Sequence, residues 1–341
     1  MKMGVKAREG DFIETFDGLI FDVKGLLHPP DRVVAYLRYV PDGRGDRERA
    51  GIKYRKVYSL YARAKLLARK WPQYVYRDPF FNREMQAVPL DSVEHHYLPA
   101  EKLAQMQRGV ELDQRERLAV DMAETLVKQA GISISNMGVS GSVLVSLHTN
   151  RSDIDLLLYG SHAARKCHSK LRVILGARSH GFTPYQTSDL RKLYTQRGLS
   201  TSIPFKTFTR HEQLKVLQGK FRGTDYFIRC VKEWGEWHEA YGDRKYYPLG
   251  RAIVHATISD DSDSIFTPCT YQIVDVRVTG KHPKPTQIVS FRGRFCEQVR
   301  RGELILAKGN LERAVEEHGE TYRLVIGEDP HDCLVVVGKR G

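Results

Sequence analysis

Hydrophobic and polar positions follow two rhythms along this chain, one of period two and one of period near 3.6. Asp11 to Val40 alternates in short runs: Phe12-Ile-Glu-Thr-Phe16, the glycine-bounded Gly18 to Gly25, and Val33 to Val40 ahead of Pro41. These predict strands, with His28-Pro-Pro30 as a break. Asp42 to Gly51 is polar and glycine-punctuated, the composition of a mobile hairpin tip. From Tyr54 to Trp71 the rhythm changes. Val57, Leu60, Tyr61, Ala64, Leu67, Ala68 and Trp71 fall on one stripe of a predicted helix, bordered by Lys56, Arg63, Lys65, Arg69 and Lys70. That basic border is a candidate phosphate-binding edge. Glu111 to Gln129 predicts a second helix, stopped by Gly131.

The middle of the chain changes rhythm fastest. An apolar run, Ile132 to Val139, ends in the small-residue turn Ser140, Gly141, Ser142. A short apolar segment, Val143 to Leu147, follows. Asp153 and Asp155 then flank Ile154, and Leu156 to Tyr159 reads as a buried strand. Ser161 to Leu175 predicts a helix with Ser161 as its N-cap, and Phe208 to Leu217 a short one. Gly223 to Val231 is a β-rich run with one acidic residue, Asp225, near its start. An aromatic and basic run follows, from Trp234 to Tyr247. Beyond Arg251 come short strands at regular spacing with glycine turns: Ala252–Ile258, Tyr271–Val278, Gln287–Phe291, Leu304–Leu306, Tyr322–Ile326 and Leu334–Val337. Leu311 to His318 reads as a short helix between two of them. The pattern predicts an α+β protein of three domains: an N-terminal β-rich part with a basic helix (1–110), a core of mixed sheet with helices on one side (111–250), and a small β-barrel-like domain (251–341).

The chemistry concentrates in the central stretch. Side chains at i and i+2 on a strand share a face, so Asp153 and Asp155 point the same way. Two carboxylates that close repel unless a cation lies between them, and Mg²⁺ is held by one or two carboxylates plus substrate phosphates. The Gly-Ser turn opens a helix, where free N–H groups favour an anion. Gly141 lets backbone approach a phosphate, and the Ser142 hydroxyl can donate to it.

An apolar strand, Gly141-Ser142, roughly a dozen residues, then Asp153-Ile-Asp155: this order resembles the DNA polymerase β-type nucleotidyltransferase superfamily. The resemblance covers Gly131 to Gly160 best. It implies a polymerase β-type catalytic core in which Gly141 and Ser142 hold the triphosphate of an NTP and Asp153 and Asp155 ligate Mg²⁺ or Mn²⁺. It also implies a third carboxylate on a later strand, for which Asp225 is the candidate and Asp189 and Asp243 the rivals. The implied reaction moves a nucleoside monophosphate from NTP to an acceptor hydroxyl and releases pyrophosphate.

Charge bears on the acceptor. The chain carries 54 basic and 41 acidic residues, a net +13. The excess is +6 in 1–110, +6 in 111–244 and only +1 beyond, so it belongs to the first two regions. Such a field attracts polyanions, which makes an RNA or DNA 3′ end the expected acceptor. A protein or small-molecule acceptor, or a nucleic-acid-binding protein on a non-catalytic scaffold of this kind, is the alternative. Five scattered cysteines without zinc spacing predict reduced thiols, hence a cytoplasmic protein. No apolar run is long enough to span a membrane.

Overall fold

The computed structural model describes residues 6–109, 111–197 and 203–339; the end of the polar stretch Gly176–Ser202 lies outside the described residues. The chain is α+β, with sheets of eight, five and six strands and seven α-helices among the described residues.

In chain order, β1 (Phe12–Thr15), β2 (Ile20–Val23), β3 (Arg32–Pro41), β4 (Arg47–Arg49) and β5 (Ile52–Lys56) lead into α1 (Leu60–Lys70). Then come β6 (Val75–Asp78), β7 (Arg83–Pro89), β8 (Val93–Tyr97), α2 (Pro99–Arg108) and α3 (Gln114–Ala130). The central stretch forms β9 (Met137–Val139), α4 (Gly141–Leu144) and β10 (Ile154–Tyr159). After it come α5 (Ser161–Ala177), β11 (Phe182–Thr183), α6 (Thr187–Arg197), α7 (Phe205–Glu212), β12 (Gln218–Phe221) and β13 (Thr224–Val231). Apart from short 3-10 turns, the remaining elements are strands: β14 (Lys245–Asp260), β15 (Cys269–Val278), β16 (Gln287–Ser290), β17 (Glu303–Glu316), β18 (Gly319–Val325) and β19 (Cys333–Lys339). Two units result. The first takes in residues up to Asp78, Arg83–Ile174 and Phe221–Tyr241; the second takes in Pro79–Asn82, Leu175–Lys220 and the chain from Gly242 onward.

In the first unit the N-terminal strands pair in the order β4-β5-β3-β2-β1-β8, with β7 also on β3 and β6 on β7. Neighbours on a strand point to opposite faces, and this sheet uses both. Ile13, with Phe21, Val33 and Leu37, packs on Leu67 of α1; Phe12, with Ile20, Tyr39 and Tyr54, packs on Leu144, Val145 and Leu147 just after the Gly-Ser turn. The N-terminal strands are thereby fastened to the central stretch by apolar burial. α3 starts at a capping box, Asp113 with Glu116, and ends at the left-handed Gly131, as its sequence predicts. The N-terminus of α5 is satisfied differently from the expectation at Ser161. The Ser161 N–H donates to both oxygens of the Glu236 carboxylate at 3.0 Å, placing an anion at the positive end of the helix.

Two further expectations are corrected. The α1 helix begins at Leu60, because Tyr54 is consumed by β5, and its buried face carries Arg63 and Leu67. Tyr61, Ala64 and Ala68 are exposed instead. Arg63 turns inward because its Nε–H donates to the Val57 carbonyl at 2.9 Å. The polar tip Asp42–Gly51 is in part held: Arg47 donates from Nη1 to the Leu147 carbonyl (2.7 Å) and to Ser152 Oγ (3.2 Å).

In the second unit, β14 pairs with β15, β15 with β16, β16 with β18, β18 with β17, and β17 returns to β14, so the strands close a ring with β19 added on β17. Leu311–His318 is largely the second half of β17 and not a helix. Continuous pairing with β14 on one side and β18 on the other outweighs the local pattern. Ala252, Val254, Ile258, Tyr271, Ile305, Leu311 and Leu324 fill the interior. Beside it lies a buried ionic cluster: Lys215 Nζ to Glu212 at 2.7 Å, Arg197 to Glu212 at 3.0 Å, and Gln218 Nε2 to Glu212 at 2.6 Å.

Candidate functional site

β10 is the axis of the site. It runs antiparallel to β9 and parallel to β13, with Asp155 opposite Phe227 and Leu157 opposite Arg229. Its other face (Ile154, Leu156, Leu158) is fully buried. Partners across a parallel ladder point to the same side, so Asp155, Phe227 and Arg229 share one face, and Asp153 lies two residues before Asp155 on that face. Asp225 directly precedes Tyr226, the partner of Ile154, at the same end of the ladder as Asp153.

The Gly-Ser turn comes back onto this face. The Ser140 N–H donates to the Asp155 carbonyl at 2.9 Å, and Ser140 Oγ to the Gly10 carbonyl at 2.7 Å. Gly141 has φ +62°, and a Cβ built on it would overlap Oδ2 of Asp155. Only glycine therefore satisfies both the backbone angle and the carboxylate lying against it. Ser142 is buried, and its Oγ has no hydrogen-bond partner among the described residues. A buried hydroxyl without a partner is costly and rare in native proteins.

Electrostatics single out Asp155. Burial, and then the charge of Asp153, push its carboxyl up to about 7, against the opposing pull of Lys56, Arg229 and Arg38. Lys56, the last residue of β5, is brought down to about 8 by burial and by Arg38, while Asp153 and Asp155 hold it up. Beneath this pair lies a second charged layer. Arg229 Nη1 reaches Glu9 at 2.7 Å and Asp22 at 3.5 Å, and Lys24 reaches Asp22 at 2.8 Å and Glu9 at 3.2 Å. Burial alone would raise the Asp22 carboxyl, but Lys24, Arg229 and Arg38 hold it well below the usual range. Carboxylates and cations thus alternate from the N-terminal sheet to β10.

The structure brings Gly141, Ser142, Asp153 and Asp155 into one place. No three Asp, Glu, His or Cys side chains among the described residues form a cation cage. Asp225 is exposed near the start of β13. The rival Asp189 accepts from the Gln186 N–H at 3.0 Å and pairs with Lys220 at 3.3 Å in the first turn of α6, and Asp243 lies in the segment between β13 and β14.

No family model and no solved structure matches the sequence. The chain is 30% identical over 337 residues to "Uncharacterized protein MJ1086" of Methanocaldococcus jannaschii, a span of 95% of this chain and 96% of the relative. The chain belongs to the MJ1086 family. The near end-to-end match means that both units and the N-terminal strands are carried by this family together.

Sequence reasoning on this MJ1086-family chain missed Arg38, Lys56, Arg229, Glu9 and Asp22. Arg229 left a trace: residues 225, 227 and 229 share one strand face, so a cation four residues after Asp225 lies on the same side as the aspartates. Lys56 was assigned to a helix border, and the end of a strand aims it elsewhere. Nothing in the sequence marks Glu9, Asp22 or Arg38, whose positions follow from strand pairing across long separations. No helix among the described residues is long and apolar enough to cross a membrane.

Proposed function

We propose that this protein is a metal-dependent nucleotidyltransferase that moves a nucleoside monophosphate from NTP to an acceptor hydroxyl, with an RNA or DNA 3′ end as acceptor. The observation that carries the reading is the glycine turn with no room for a Cβ because the half-buried Asp155 carboxylate lies against it, beside a second carboxylate and a buried hydroxyl without a hydrogen-bond partner among the described residues. This is the arrangement expected of a polymerase β-type core, with 251–341 as an accessory β-barrel domain.

The donor set fits a hard divalent cation. Two neighbouring carboxylates, one of them driven toward protonation by burial and then by the charge of the other, are what Mg²⁺ or Mn²⁺ relieves. Asp153 and Asp155 would hold the ion. When bound, it supplies charge neutralisation to the triphosphate and acidifies the attacking hydroxyl. The chain's own residues do the rest. Gly141 leaves backbone open to the polyphosphate, and Ser142 has an unused hydroxyl to donate to it. Lys56, Arg38 and Arg229 place positive charge around the carboxylates, which favours a departing pyrophosphate. Arg47, held by Leu147 and Ser152, fixes the loop that delivers Asp153. Asp225, at the start of the strand that pairs with β10, takes the third position in this reading.

The test is label transfer. The protein is incubated with each labelled NTP, Mg²⁺ or Mn²⁺, and pools of RNA, DNA, protein or small-molecule acceptors. Label should enter the polynucleotide pool and disappear with Asp153→Ala. No transfer to any pool, together with no metal-dependent NTP binding by calorimetry, refutes the reading; label in another pool reassigns the acceptor.

A further inference from the structure

We infer that the surface formed by the end of β5 and the exposed face of α1 is the landing platform for a single-stranded polynucleotide, delivering its end to the Asp153–Asp155 pair. The inference deepens the reaction proposed above and rests on it for the second half of that statement only; strand binding stands by itself.

Three observations carry it. Residues 52–77 contain eight lysines and arginines and no acidic residue. Of these, Arg63 turns inward, and Lys53, Lys65, Arg69 and Lys70 are exposed. A merely solvated face mixes both signs; a segment of one sign twenty-six residues long has a polyanion as its complement. Second, the aromatics here face water. Tyr61 is 75% exposed, the highest value among the exposed large apolar side chains of the described residues, and Tyr58 is 67% exposed. Tyr61, Lys65 and Arg69 follow at spacings of four, so ring and cations lie on one strip of the helix. Exposed rings interleaved with cations bind single strands, because every base has a face to stack and every nucleotide a phosphate. A duplex keeps its bases out of reach of such rings. Third, the platform leads to the site. Lys56 Nζ lies 5.1 Å from the Tyr58 ring centroid, and the same ammonium feels the charges of Asp153 and Asp155.

The test measures binding of fluorescein-labelled, mixed-sequence RNA and DNA 20-mers, single-stranded and duplex, to the full-length protein by anisotropy across a salt series. Wild type should bind single strands more tightly than duplex, with the RNA and DNA arms showing which sugar is preferred. Tyr58→Ala/Tyr61→Ala should weaken single-strand binding roughly tenfold or more, and Tyr58→Phe/Tyr61→Phe should restore it. Lys65→Gln/Arg69→Gln should lower the slope of log affinity on log salt by about 1.4, at roughly 0.7 for each phosphate that the removed cations no longer neutralise. Phe16→Ala, an exposed aromatic off the platform, should change nothing. All these positions are exposed, and melting temperatures check the fold. Unchanged affinity in the tyrosine double alanine variant, or equal affinity for duplex, overturns the inference. NTP binding is measured in parallel. NTP binding without oligonucleotide binding sinks the platform and leaves the nucleotidyltransferase reading standing, and the converse result sinks only the link to catalysis.

Discussion

Replacing Gly141 by alanine tests the close approach at the centre of the site, and Gly51 provides the control. Both have positive φ, +62° and +78°, so alanine at either costs about 1–2 kcal/mol of backbone strain. At Gly51, in the β4–β5 turn, no atom lies within 4 Å of the added Cβ, and that strain is the whole expected loss. At Gly141 the Cβ overlaps Asp155 Oδ2, and Cγ of the same carboxylate is also too near. Asp155 is seated in a fully paired strand and cannot back away without disturbing β10. Overpacking of this kind adds about 1–3 kcal/mol. Gly141→Ala should thus lose about 2–5 kcal/mol in urea unfolding against about 1–2 for Gly51→Ala. Function separates them further. With NTP and Mg²⁺ at about a hundred times the dissociation constant, wild type and Gly51→Ala should gain about 2.7 kcal/mol, and Gly141→Ala should gain nothing measurable. Equal losses at the two glycines, with ligand stabilisation intact in both, would refute the claim that the turn lies against the carboxylate.

Divalent-metal binding should tighten as pH rises through about 7, because the Asp155 carboxyl titrates there and must be ionised to act as a ligand; Mn²⁺ affinity measured from about pH 5.5 to 8.5 should show the rise in wild type and lose it in Asp155→Asn. His28 should make the metal-free protein less stable in acid. Its Nε2–H donates to the Ala7 carbonyl at 3.0 Å while Nδ1 accepts from the Val34 N–H at 3.1 Å, and burial above all brings its pKa down to about 4. The unfolded chain therefore binds the extra proton first, and stability falls as pH drops from about 6.5 to about 4, by roughly 3 kcal/mol at about 1.36 kcal/mol per pKa unit; His28→Leu should flatten that part of the profile. Glu212→Leu should destabilise the protein by about 3–5 kcal/mol, since it leaves the buried Lys215 ammonium without its counter-ion and takes one partner from Arg197; a melting point within about a degree of wild type would contradict the cluster's role.

What the sequence revealed and what it withheld follow from the range of each interaction. The turn between β9 and α4 was legible because its constraints are local: an apolar strand must end somewhere, and Gly141 has no side chain to place. The same holds for α3, whose start and stop depend on Asp113, Glu116 and Gly131 alone. Leu311–His318 was misread because its fate is decided by two neighbouring strands distant in sequence, not by its own pattern. The start of α1 slipped for a related reason, since Tyr54 is claimed by pairing across from Pro41. At the site, the aspartates were visible and their surroundings were not. Lys56, Arg38 and Asp22 approach β10 only after β2, β3 and β5 have folded against the Leu144–Leu147 segment.

Gly10 presses so tightly on Leu157 that a Cβ there would come within 2.6 Å of it, its carbonyl receives the Ser140 hydroxyl, and next to it Glu9 accepts from the guanidinium of Arg229. Glu9 and Gly10 are thus part of the floor beneath the aspartates. Removing Glu9 and Gly10 would unseat a basic group and loosen the bend together, so the strand-leading segment and the central turn stand or fall as one piece.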